Sequence, residues 1–160
     1  MDATLTLRRA GTGDARTLAD LNRFVHDLHV ERRPDYFKLT AVDDVAEWFR
    51  SQLSRPTTVA FIAEEDGAPV GYVLALLSEH PENAFRRSRR WCEIDQLAVD
   101  PRRRRHGVAR RLLERVVADA QERGLTEFEL GTWAFNDVAQ ATFRRLGFAP
   151  RMIRFERARP

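Results

Sequence analysis

Polar and apolar positions first alternate with a period of two, with Leu5 and Leu7 on one face of residues 4–9, which predicts an opening strand. Gly11-Thr12-Gly13-Asp14 reads as a turn and helix start. Leu18, Leu21, Val25 and Leu28 then hold helical spacing, predicting a helix to about Val30 that breaks at Arg33-Pro34. Val42, Val45, Phe49 and Leu53 predict a second helix, opened by Thr40 or Asp43 and ended by Pro56. Residues 58–64 and 70–77 are near-continuous apolar runs around Glu65-Asp66-Gly67, a hairpin signal, and should be strands buried on both faces. The polar, basic stretch 79–90 reads as a loop, and residues 91–99 as a fourth strand. Ala109, Leu112, Leu113, Val116, Val117 and Ala120 predict a long helix that stops at Gly124. Residues 127–132 follow as a fifth strand. Asn136 opens a helix striped by Ala139, Phe143 and Leu146 and stopped by Gly147, and residues 152–156 read as a last strand. The order β-α-α-β-β-β-α-β-α-β predicts an α/β (mixed α+β) chain with a mixed central sheet flanked by helices.

The turn between the fourth strand and the long helix carries the most pointed chemistry. It runs Asp100-Pro101-Arg102-Arg103-Arg104-Arg105-His106-Gly107-Val108-Ala109-Arg110. Pro101 ends the strand, having no N–H for a ladder. A helix start leaves backbone N–H groups without internal partners and carries about half a positive charge. Such a turn suits a phosphate, glycine lets backbone approach it closely, and the arginines attract anions. The local physics places a polyphosphate against Arg105, His106, Gly107, Val108, Ala109 and Arg110; the alternative is a solvated basic helix cap. No Gly-Lys-Ser/Thr follows, which excludes a nucleotide-triphosphate P-loop.

At 160 residues, 43% of them hydrophobic, the chain suffices for one domain with a core. The net charge of +3, from 27 basic and 24 acidic residues, is too mild to imply nucleic acid by itself. Cys92 is the only cysteine, which excludes an internal disulfide and a cysteine zinc site. His26 and His29 share a helix face, but no third ligand accompanies them, so no metal is expected. The first residues hold no long apolar run for export and no segment reaches the roughly 20 apolar residues of a membrane span, so a cytoplasmic protein without membrane contact is expected.

Arg104-x-x-Gly107-x-Ala109, following a strand and opening a helix, resembles motif A of the GNAT N-acetyltransferase superfamily. Asn136-x-x-Ala139-x-x-x-Phe143-x-x-x-Gly147-Phe148 resembles that family's motif B. The element order is also the family's, so the resemblance implies a single GNAT domain over residues 1–160. It further implies that the turn, Arg104 included, holds the pyrophosphate of acetyl-coenzyme A. Backbone groups of Leu97, Ala98 and Val99 would bind pantetheine and polarise the thioester. Asn136 would contact the cofactor; as a plain helix cap it reads almost equally well. Phe143 stands where many members have a Tyr that protonates the leaving thiolate; phenylalanine has no proton to give but can line the thioester channel.

For a base, Glu93 and Asp95 alternate on one strand face with Trp91 and Leu97, and carboxylates among apolar strand residues are costly without a purpose. Asp95 stands at the family's Glu position, while Glu93 has the longer reach; solvent exposure or pairing with nearby arginines is the alternative for both. The acceptor site is expected among the first two helices, the link holding Tyr36 and Phe37, and the 79–90 loop, with Phe85 as a further aromatic candidate and Trp48 as another that reads better as a core residue. Arg32, Arg33, Arg86 and Arg87 could attract an acidic acceptor or simply face solvent. The expected activity is acetyl-coenzyme A-dependent N-acetylation of a primary amine on a small molecule or peptide, by direct attack in a ternary complex. An acyl-coenzyme A sensor without turnover and a basic nucleic-acid-binding module are the alternatives. Nucleic acid is the weaker, because no aromatic residue interleaves the arginines. Homodimer formation stays open.

Overall fold

The computed structural model describes residues 4–157, so Met1, Asp2 and Ala3 lie outside the described residues. The strands are β1 (Leu5–Arg9), β2 (Thr58–Glu65), β3 (Ala68–His80), β4 (Arg89–Val99) and β5 (Phe128–Leu130), with helices α1 (Ala15–Arg32), α2 (Val42–Leu53), α3 (Val108–Glu122) and α4 (Asp137–Arg145). The strands form one sheet in the order β1-β2-β3-β4-β5, antiparallel except for the parallel pair β4–β5. This is the mixed α/β layout that the periodicities predict. Alternation on β2 and β3 sends Phe61, Val73 and Ala75 to the α3 face and Ile62, Tyr72 and Leu74 to the α1–α2 face. The sheet is thus buried on both sides, and α3 and α4 hold the opposite face from α1 and α2.

Three boundaries differ from the sequence reading. The hairpin β3–β4 runs on to the pairs Glu79↔Arg90 and His80↔Arg89, leaving only residues 81–88 as loop. Opposite charges across a ladder support strand pairing, which polar composition alone conceals. β5 is half its expected length. Residues 152–156 form no strand; Met152, Ile153 and Phe155 lie exposed. A three-residue edge offers too few ladder bonds to order another strand, and ion pairs from Arg151 to Glu129 and from Arg33 to Glu156 tether the tail instead.

Gly71 fixes the start of α3 against the sheet. A Cβ there would stand 2.8 Å from the Ala98 carbonyl oxygen and 3.3 Å from Val108 Cγ1. Gly71→Ala should therefore destabilise the fold by about 1–3 kcal/mol, the usual range for overpacking, and a denaturant titration checks this.

Candidate active site

β4 makes the site by leaving its neighbour. It pairs with β5 only over Cys92↔Phe128 to Ile94↔Leu130, then continues to Val99 with β3 as its one strand neighbour among the described residues. In an antiparallel ladder alternate residues turn their N–H and C=O groups away from the partner. The Asp100 N–H bonds to the Val70 carbonyl at 2.8 Å, and Gly71 stands opposite Val99. The backbone groups of Leu97 and Val99 therefore face the gap beyond β5, and those of Ala98 face β3.

A β-bulge accompanies the split. Leu74 pairs with Gln96 but Ala75 with Ile94, so Asp95 is the extra residue on β4. The bulge reverses the side-chain alternation. Cys92 and Ile94 face α3 before it, and Leu97 and Val99 face α3 after it. Glu93 and Leu97 accordingly lie on opposite faces, unlike the simple alternation of the sequence reading. On the α1 side, Gln96 accepts a bond of 2.6 Å from the Tyr72 hydroxyl, and Asn22 of α1 donates to that hydroxyl at 2.9 Å. This triad, buried at Tyr72 and half-buried at Asn22 and Gln96, ties the bulge to α1. Burial pushes the Tyr72 hydroxyl up from its ordinary pKa.

The gap opens into a cleft of about 600 Å³ between α1, α2, β4, β5 and α4. Asp95, Gln96 and Leu97 line it, with Asn136 and Phe143 from the far wall; Glu93 is not among its walls. The Asp95 carboxylate reaches the cleft with no hydrogen-bond or ion-pair partner among the described residues, and partial desolvation raises its pKa. Asn136 caps α4 by accepting from the Ala139 N–H at 3.1 Å, so its cap role and its place on the cleft wall coexist. Phe143 packs edge-on against Phe148.

The arginine turn divides its labour. Asp100, almost fully buried, accepts from the Arg102 N–H at 2.9 Å and from the Arg102 guanidinium at 2.7 Å, which holds its carboxyl below the ordinary range. Arg103 pairs with Glu65 at 2.6 Å, and Arg110 with Glu114 at 2.7 Å. Arg104 and Arg105 have no partner among the described residues. Arg105 (φ 68°) and Gly107 (φ 77°) both adopt left-handed backbone, curling the turn just before α3. Among the described residues nothing accepts from the backbone N–H groups of Arg105, His106, Gly107, Val108, Ala109 and Arg110; the first bonded amide is Arg111, to the Gly107 carbonyl at 3.0 Å. Six consecutive free donors beside two free guanidiniums make a nest for an anion. Asp100→Ala removes the cap that shapes this turn and should cost about 1 kcal/mol, read as a lowered urea midpoint.

The mouth of the cleft is aromatic. His29 stacks on Phe37 at 4.9 Å, and Phe37 meets Trp133 edge-on at 5.4 Å. Burial, and secondarily the neighbouring His26, lowers the His29 pKa, which favours the neutral ring. His26 bonds the Lys38 carbonyl at 2.9 Å through Nε2. Phe37 and Trp48, expected near the acceptor, line the cleft; Tyr36 packs against Trp133, and Phe85 lies exposed in the 81–88 loop. Asp44, Gln96 and Trp133 escaped the sequence reading. The bulge and the early end of β5 place Gln96 and Trp133, and neither has a local signal. Among the described residues no cluster of His, Cys, Asp and Glu could hold a metal ion, and no helix is long and apolar enough to cross a membrane.

The sequence profile of the Acetyltransferase (GNAT) family matches residues 22–148, which include the turn, β4 and α4. The chain belongs to the GNAT family. It is 30% identical to human N-acetyltransferase 8 over 114 residues, 71% of this chain, and spans about half (48%) of that protein's length. The GNAT fold itself recurs in solved structures. A tetramutant of the BH1408 protein from Bacillus halodurans superposes with a TM-score of 0.90 at 23% identity, covering 96% of this chain and 99% of that one. Aminoglycoside N-acetyltransferase AAC(6')-Iy in complex with CoA superposes at 0.78 with 20% identity, covering 100% and 98%.

Proposed function

We propose that this GNAT chain is an acetyl-coenzyme A-dependent N-acetyltransferase, one domain over residues 1–160, acting on a primary amine of a small molecule or peptide by direct attack in a ternary complex. The observation that carries the reading is the run of six unbonded amides from Arg105 to Arg110, at the end of a strand whose outward backbone opens on the same cleft as a free carboxylate. AAC(6')-Iy, solved with CoA, has the same fold and supports the choice of cosubstrate.

The amides from Arg105 to Arg110 would hold the pyrophosphate, with Arg104 and Arg105 neutralising its charge. Leu97 and Val99 would hold pantetheine by their outward backbone groups, and the Leu97 N–H would polarise the thioester oxygen. Ala98 is the strand residue between them. Asn136, Ala139 and Phe143 would form the opposite wall. Bound there, acetyl-coenzyme A supplies an activated acetyl carbon. The acceptor nitrogen bonds to that carbon as the carbon–sulfur bond breaks, its proton passes to Asp95, and the electron pair leaves on sulfur. Asp95 suits the base role because it is unpaired and its raised pKa strengthens it as a proton acceptor. Glu93, on the same strand, is the second candidate. No acid at Phe143 is needed where the leaving group is a thiolate, whose conjugate acid has a pKa near 8.5.

Phe143 also favours a second reading, a coenzyme A sensor without turnover. Calorimetric titration with acetyl-coenzyme A, followed by a thiol-release assay with a panel of amines, tests both. Saturable binding with amine-dependent thiol release is the expected result. Binding without release from any amine favours the sensor, and absence of binding overturns both.

A further inference from the structure

We propose, resting on the transferase reading, that the acceptor is a primary amine carried on an aromatic arm rather than a polyhydroxylated polycation. The charges and surfaces of the cleft carry this. Although the chain has 27 lysines and arginines, none among the described residues lines the cleft, whose carboxylates are Asp44 and Asp95. Neither carboxylate has an ion-pair partner among the described residues. A cationic amine is therefore drawn in, and an acidic acceptor is repelled. Arg32, Arg33, Arg86 and Arg87 do not reach the lining, so they do not reverse that sign.

Four rings, His29, Phe37, Trp48 and Trp133, give the cleft flat surface, and of its polar side chains Asn22, His26, Thr40, Gln96 and Asn136 each already hold a hydrogen bond within the protein. Burial lowers the His29 pKa, which favours the neutral ring, so it adds aromatic surface to the cleft. The Trp133 ring already accepts a cation, the Arg33 guanidinium, ion-paired with Asp35 and Glu156, standing 5.0 Å from its centre. A ligand ring laid against these rings gains stacking and apolar burial. A sugar-like acceptor would set hydroxyls against those ring faces, where they find no partners, which is costly. The cleft of about 600 Å³ must also admit the thioester end, which favours a single-ring amine over a multi-ring one.

The test is calorimetric titration of 2-phenylethylamine, ethylamine and kanamycin into the full chain saturated with coenzyme A. The expected order places 2-phenylethylamine at least about tenfold tighter than ethylamine, the usual worth of a filled apolar subsite, and tighter than kanamycin. Trp133→Ala should erase the advantage of the ring, so that 2-phenylethylamine binds no tighter than ethylamine, and Trp133→Phe should keep most of it. Kanamycin binding tightest, or 2-phenylethylamine no tighter than ethylamine, overturns the proposal. Thiol release measured on the same samples separates this from the transferase reading: aromatic-amine binding without release fails that reading alone, and release with a reversed amine order fails this proposal alone.

Discussion

Asp95→Asn is expected to lower kcat for amine acetylation by about 10²–10⁴-fold, the usual contribution of a positioned general base, with the affinity for acetyl-coenzyme A unchanged. The same substitution should not destabilise the fold. Asp95 holds its proton more tightly folded than unfolded, because desolvation raises its pKa. Below the unfolded pKa both states are protonated and no penalty exists. As pH rises through the folded pKa, ionisation costs the native state more than the unfolded one. At neutral pH the asparagine variant, which carries no such charge, should therefore unfold at a temperature equal to or above the parent's. Activity of the parent should fall as pH drops through the raised Asp95 pKa, and that limb should vanish in the variant. A glutamine at Glu93 serves as the comparison, since Glu93 lies off the cleft lining. If Glu93→Gln carries the large loss and Asp95→Asn does not, the base has been misassigned.

The second large effect is expected at Gly107. Gly107→Val should weaken acetyl-coenzyme A binding by about 10²–10⁴-fold, as two charge-assisted hydrogen bonds of roughly 1.5–3 kcal/mol each are lost. The Gly107 φ of 77° is unfavourable for a β-branched residue, whereas a Cβ there would meet no protein atom within 4 Å. The substitution therefore strains the turn without clashing in the core, and the far-ultraviolet dichroism should be retained. Asparagine tolerates left-handed backbone, so Gly107→Asn separates the two causes. It relieves the strain but keeps a side chain at the anion nest. If Gly107→Asn binds as the parent does, conformation alone explains the valine defect; if it binds as weakly as valine does, room for the phosphate is the requirement.

The turn was legible in the sequence because everything that makes it is local. A strand end, a proline, a glycine and the onset of helical spacing lie within residues 97–113, and those features suffice to place unpaired amides there. Helices α1–α3 were legible for the same reason, each carrying an apolar stripe and a chemical stop. The cleft was not. It depends on where β5 stops pairing with β4 and on one extra residue in a ladder with β3, and both are set by the contact of segments distant in sequence. Strict alternation therefore put Glu93, Asp95 and Leu97 on one face, whereas the bulge separates them. Residues 152–156 alternate as a strand should but face a three-residue edge, so the pattern lacked the partner it needed. Within the arginine run, sequence alone could not distinguish Arg102 and Arg103, which brace the turn against Asp100 and Glu65, from Arg104 and Arg105, which remain free.

The most direct measurement is the nitrogen–proton correlation spectrum of the isotopically labelled chain during titration with coenzyme A. The backbone amides of Gly107, Val108, Ala109 and Arg110 should shift downfield together and saturate with one affinity, as free donors acquire phosphate acceptors. Saturable coenzyme A binding that leaves those four amides unmoved would contradict the assignment of the turn, and with it the position of the thioester beside Asp95.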